Sequence, residues 1–107
     1  MPVIKIFCSQ RPDAEACERL SQTLRELCIG SMGAKPDAIQ ITMVPGVQML
    51  DGSPVFVEAN YRDRPDRKGA ALSKFLEGVD QAVQLAFGDP PRIRSFAVDQ
   101  STLGAVR

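Results

Sequence analysis

The chain has 107 residues, 44% of them hydrophobic, which suffices for one compact domain with a modest core and excludes a disordered polymer. Lys+Arg and Asp+Glu number 13 each, so the formal net charge is zero; a domain-wide electrostatic nucleic-acid binder is excluded, and little charge repulsion opposes self-association. There is no histidine, and the three cysteines (Cys8, Cys17, Cys28) form no close pair, which removes Ser-His and Cys-His nucleophilic catalysis and leaves no zinc ligand set. No apolar run approaches membrane-spanning length and no leader-like apolar segment opens the chain, so the expectation is a soluble cytoplasmic protein with reduced thiols.

Taken in order, Pro2 to Cys8 (PVIKIFC) is rich in β-branched and aromatic residues and predicts a strand, apolar on both faces apart from Lys5. Arg11-Pro12-Asp13 breaks it and supplies helix-start chemistry. From Ala14 to Ile29 apolar residues recur at helical spacing, with Ala16, Cys17, Leu20, Leu24, Leu27 and Cys28 on one stripe; Gly30 and Gly33 end the helix. A second strand spans Ala38 to Val44, followed by the turn Pro45-Gly46. Val47 to Ser53 is an irregular link whose Val47, Met49 and Leu50 predict either a short edge strand or a surface for a partner.

Pro54 to Tyr61 (PVFVEANY) predicts the third strand, and Arg64-Pro65-Asp66 breaks it. A second helix runs to Phe87 on the stripe Leu72, Phe75, Leu76, Val79, Ala82, Val83 and Ala86, and Gly88-Asp89-Pro90-Pro91 stops it. Arg92 to Val98 (RIRSFAV) predicts the fourth strand.

The element order is β-α-β, link, β-α-β. Pro-Val opens both halves (Pro2-Val3, Pro54-Val55) and Arg-Pro-Asp follows each first strand, at offsets of 52 (2 to 54) and 53 (11 to 64). The expectation is a single α+β domain over residues 1–107, with repeat halves of about 1–46 and 53–107. Right-handed crossovers would make each half's strands parallel, giving a four-stranded sheet with both helices on one face. The uncovered face predicts an oligomer.

A proline after the initiator methionine, on this doubled β-α-β frame, resembles the tautomerase superfamily, in particular its macrophage migration inhibitory factor-like and 4-oxalocrotonate tautomerase-like members. Lys35-Pro36 before the second strand, Val44-Pro45 closing it, Met49 and Gly52 in the link, Pro54, Arg92-Ile93 and Asp99 add to the likeness, which extends over essentially the whole chain. The resemblance implies a homotrimer with sites at subunit boundaries, and cofactor-free keto-enol proton transfer on a small keto or enol acid by the nitrogen of Pro2. Position by position, Pro2 matches the catalytic amine and Lys35 a pocket lysine. Arg94 stands where migration inhibitory factors have a pocket tyrosine, and Phe96 where they have an asparagine. Val55 and Glu58 replace their CxxC pair, so no thiol-redox activity is implied.

In chemical terms, a neutral amine takes a proton from the carbon beside a carbonyl, and nearby cations such as Lys35 and Arg94 would favour its neutral form. Arg94 could also hold a carboxylate, with Phe96 on the same strand face as an aromatic wall. All of this requires that Met1 be removed, because otherwise Pro2 carries only an amide nitrogen. With Met1 kept, the alternative is a binding or interaction protein that retains the fold without the chemistry. Arg11 reads as a helix-entry charge. Arg62, Arg64, Arg67 and Lys68, interleaved with Asp63 and Asp66, read as a solvated face.

Overall fold

A computed structural model describes all residues, Met1–Arg107. Its elements are β1 (Pro2–Cys8), α1 (Ala14–Met32), β2 (Gln40–Val44), β3 (Val55–Arg62), α2 (Ala70–Phe87) and β4 (Arg92–Val98), with single 3-10 turns at Pro36–Ala38 and Pro65–Arg67. The four strands form one mixed sheet in the order β2-β1-β3-β4. β1 is parallel to β2 and β3 to β4, while β1 and β3 run antiparallel and join the two β-α-β units at the centre.

Strand alternation decides which residues make the core. Pro2, Ile4, Ile6 and Cys8 of β1, and Val55, Val57, Ala59 and Tyr61 of β3, are all buried on the face that meets the helices. Leu20, Leu24, Cys28 and Met32 from α1 and Phe75, Val79 and Val83 from α2 pack against them, so the stripes at helical spacing are the core faces. Each such large apolar side chain contributes on the order of 1.5–3 kcal/mol by leaving water. The helices approach closely at Gly78, where an added Cβ would lie 2.6 Å from Leu27 Cδ2.

Element ends differ from the sequence expectation where local geometry or burial intervenes. α1 passes Ile29 and Gly30 and stops at Met32, because the buried stripe continues from Cys28 to Met32 and Gly33 supplies the left-handed cap at φ 61°. Its start follows the sequence, with Asp13 accepting a hydrogen bond from the Ala16 amide at 2.8 Å. β2 begins at Gln40 rather than Ala38, since residues 36–38 curl into a turn closed by the Ala38 amide on the Lys35 carbonyl. β3 is shifted one residue, to Val55–Arg62; Pro54 has no N–H for the ladder. α2 starts only at Ala70, after the 3-10 turn.

The link pairs with nothing as a strand. It is tied down by Val47 N–H on the Cys8 carbonyl and by Ser53 Oγ on the Pro90 carbonyl, and leaves Leu50 91% exposed. The second sheet face is open and less apolar than β1 alone suggests. In register across β1, β3 and β4 it carries Phe7, Phe56 and Arg92, then Lys5, Glu58 and Arg94, then Val3, Asn60 and Phe96. Phe7 and Phe56 meet at 6.2 Å between ring centroids. No helix is long and apolar enough to cross a membrane.

Two outcomes follow from this packing. Gly78→Leu should lower unfolding free energy in urea by about 1–3 kcal/mol, because Leu27 must move; Gly30→Ala, helical and with nothing within 4 Å of the new methyl, should raise it by about 0.5–1 kcal/mol. The thiols should divide by burial: Cys8 and Cys28 are buried and their pKa values are raised by it, Cys28 to about 11, whereas Cys17 is partly exposed. A thiol-specific reagent on the native protein should modify Cys17 alone, and Cys17→Ser should abolish the fast phase.

Candidate active site at the start of the central strand

β1 is paired on both edges from Val3 onward, and its first residue is paired with β3. Pro2 pairs with Tyr61 of β3, and its ring is buried on the helix face. One step outward, Met1 lies beside Arg62, and both line a cleft of about 680 Å³ with Val3, Asp37, Ile39 and the tail 103–107.

Beneath this end of the strand lies Arg67, only 3% exposed. Its Nε donates to the Met32 carbonyl at 2.8 Å and its Nη1 to the Arg62 carbonyl at 3.1 Å. The first bond satisfies a carbonyl left unpaired at the end of α1, where a cation also complements the helix dipole. No carboxylate pairs with Arg67: the chain's three salt bridges are Arg19–Glu15, Arg64–Asp66 and Lys68–Asp63. Burial first, then the Arg64 guanidinium, pushes the Arg67 pKa down.

These cations act on the amino terminus. Burial, followed by the guanidinium groups of Arg62 and Arg67, holds the Met1 amine below the ordinary α-amino range, and Asp37 partly opposes them. An ammonium is therefore less favoured here than on a free α-amine.

The residues expected from the sequence are distributed differently. Lys35 is exposed, immediately before the turn whose Asp37 lines the cleft, and its side chain makes no hydrogen bond or ion pair. Arg94 and Phe96 project from edge strand β4 on the open face, opposite to the face that takes Pro2. Arg94 is exposed, with Nη1 on the Ile93 carbonyl, and Phe96 is 50% exposed. Two strand spacings and three residues of rise separate Arg94 from Pro2 within the chain, on the order of 14 Å. One copy therefore does not gather Pro2, Arg94 and Phe96 around a single point. Arg11 lines a separate cleft of about 240 Å³ between α1 and β2, with Met43 and Pro45.

The solvated-face reading of residues 62–68 needs correction at Arg67. Arg64 and Asp66 do pair near the surface, as do Lys68 and Asp63. Arg67 instead turns inward, because the 3-10 turn begun by Pro65 brings it under the end of α1. The sequence signal was limited to a charged residue closing a Pro-led turn; the Met32 carbonyl that receives it is 35 residues away.

No family model and no curated protein matches the chain. Solved structures do. A fused 4-OT asymmetric trimer superposes with TM-score 0.79 at 14% identity, covering 96% of this chain and 91% of that one. Pt0534 inactivated by 2-oxo-3-pentynoate gives 0.77 at 15% identity, covering 96% and 90%. A macrophage migration inhibitory factor homologue from Prochlorococcus marinus gives 0.75 at 19% identity, covering 97% and 95%. At these identities the likeness is one of architecture: this chain has the fold shared by the 4-OT and migration inhibitory factor structures.

Proposed function

We propose that the protein is a cofactor-free tautomerase which, after removal of Met1, uses the secondary amine of Pro2 to move a proton on a small keto or enol acid. The observation that carries this reading is the position of Pro2: it begins the central strand next to Met1, which lines the cleft and whose ammonium is disfavoured by burial and then by Arg62 and Arg67. The unprotonated nitrogen removes a proton from an enol oxygen or from the carbon next to a carbonyl. The resulting ammonium returns it to the conjugated carbon or oxygen, so the amine is regenerated and no redox partner is needed.

The working unit is a homotrimer. The fused 4-OT structure is described as a trimer, and the open sheet face with Phe7, Phe56 and half-exposed Phe96 supplies apolar surface for association. In that assembly Arg94 and Phe96 reach the cleft from a neighbouring copy, Arg94 holding the substrate carboxylate and Phe96 walling the pocket, while Lys35 adds positive charge from the same chain. A 2-oxo acid as ligand class is in line with the inactivation of Pt0534 by 2-oxo-3-pentynoate. Three free cysteines fit a reducing compartment, and we assign the protein to the cytoplasm on that ground.

A second reading keeps the fold and drops the chemistry. With Met1 kept, that residue stands half-buried in the cleft that a substrate would enter. A protein retaining Met1 would be a binding module with no free Pro2 nitrogen.

Ketonisation of phenylenolpyruvate or 2-hydroxymuconate separates the two. The chain beginning at Pro2 should exceed Pro2→Ala by at least about a hundredfold in kcat/KM, the usual size of a general-base contribution. Incubation with 2-oxo-3-pentynoate should add the label at Pro2 by peptide mapping. Equal rates for the two proteins, or a label elsewhere, would remove Pro2 as the base.

A further inference from the structure

We propose that Arg67, together with Arg62, is a positioning pair that keeps the nitrogen of Pro2 unprotonated at neutral pH, and that Lys35 and Arg94 are not needed for this. The inference rests on the proposed use of that nitrogen and assigns the residues that set its charge state.

The geometry begins at the antiparallel pair Pro2–Tyr61. The peptide entering Pro2 lies opposite the Tyr61–Arg62 peptide, so the Arg62 carbonyl, one residue further along β3 beside the Met1 amine, is on the order of 6 Å from the Pro2 nitrogen. Arg67 Nη1 is bonded to that carbonyl at 3.1 Å. The nearest nitrogen of the buried guanidinium is therefore within about 9 Å of the Pro2 nitrogen, and it cannot rotate away, because Nε is anchored on the Met32 carbonyl.

The charge is also unusually uncompensated. A buried cation ordinarily has a counterion; Arg67 has two carbonyls, and its neighbour Asp66 is engaged by Arg64. Arg62 makes no ion pair either and lines the cleft from above.

The charged and titratable groups facing the terminus from the surrounding elements are few. They are Tyr61, across from Pro2, and Arg62 from β3, Asp37 from the turn before β2, Cys28 from α1, Arg67 from the second 3-10 turn and Arg107 from the tail. Only Asp37 carries an opposing side-chain charge; the Cys28 thiol, with its pKa raised to about 11, is neutral at pH 7. Both arginines thus act against an ammonium, and the same field attracts an anionic ligand into the cleft.

A structural role for Arg67 as the cap of α1 exists in parallel, so the test must separate charge from capping. The full chain beginning at Pro2, with 15N-labelled proline, is titrated by NMR as wild type, Arg67→Met, Arg67→Lys and Arg62→Gln, alongside the pH profile of kcat/KM for phenylenolpyruvate ketonisation. Arg67→Met and Arg62→Gln should each move the amine titration, and with it the acid limb of the profile, upward by about half a unit to one unit, as expected for removing a partly screened like charge. Arg67→Lys should titrate like wild type even where it melts lower. Arg62→Gln removes a solvent-exposed charge with no capping bond, so it decides the matter if Arg67→Met does not fold. An unmoved titration in Arg62→Gln or in folded Arg67→Met would overturn the inference, as would Arg67→Lys shifting as far as Arg67→Met. The NMR titration reads the amine without turnover: a shifted titration with no ketonisation sinks the tautomerase reading alone, and ketonisation with an unmoved titration sinks this inference alone.

Discussion

The double pairing of β1 is the constraint from which the rest follows. A strand with parallel β2 on one edge from Val3 onward and antiparallel β3 on the other along its whole length is held at the middle of the sheet, and its first residue is held there by Tyr61. Chain starts commonly fray, because few contacts oppose their entropy. Here Pro2 is buried, and its position is shared by the end of α1, the end of β3 and the turn that leads into α2. The antiparallel joint between the two β-α-β units is what brings these ends together at one edge of the core.

Arg67 stabilises that junction at some electrostatic cost. Removing a guanidinium from water is unfavourable, and without a carboxylate the compensation comes from two carbonyls and from the negative end of α1. The left-handed cap at Gly33 satisfies one layer of helix-end carbonyls through the Gly33 and Ala34 amides on Cys28, and Arg67 takes the Met32 carbonyl that this cap leaves over. A hydrophobic residue at position 67 would fill the space but leave that carbonyl unpaired. The retained positive charge is thus both a structural cap and a source of field at the terminus.

Much of the fold was legible because burial and periodicity agree. The apolar strand runs Pro2–Cys8 and Pro54–Tyr61 and the helical stripes through Leu20, Leu24 and Cys28 and through Phe75, Val79 and Val83 correspond to one core. The repeated Pro-Val and Arg-Pro-Asp signals marked the two β-α-β units. Element ends were less legible: α1 outran Gly30 because burying Met32 outweighs one exposed glycine, and β2 lost two residues to a turn started by Pro36. Of the candidate residues, the sequence indicated the placement of Pro2 at the start of β1 and of Arg94 and Phe96 together on one face of β4. Arg67 was not legible, since an interleaved run of charges gives no sign of which member turns inward; that depends on a carbonyl supplied by a distant helix end.

The open face of the sheet divides the molecule's surface by chemistry. Its rows carry aromatic and charged side chains in register, including Lys5, Glu58 and Arg94 side by side, a pattern that can set the register of an associating copy as well as cover apolar area. Arg94 and Phe96 lie on that face, whereas Arg62 lies at the cleft with Arg67 buried beneath this end of β1, so a site drawing on both sets needs more than one copy of the chain.

The central claim is that the nitrogen of Pro2 is free. Intact mass and N-terminal peptide mapping of the protein isolated from its own cells test it most directly: the account predicts a chain whose first residue is Pro2, and a population that retains Met1 would contradict it.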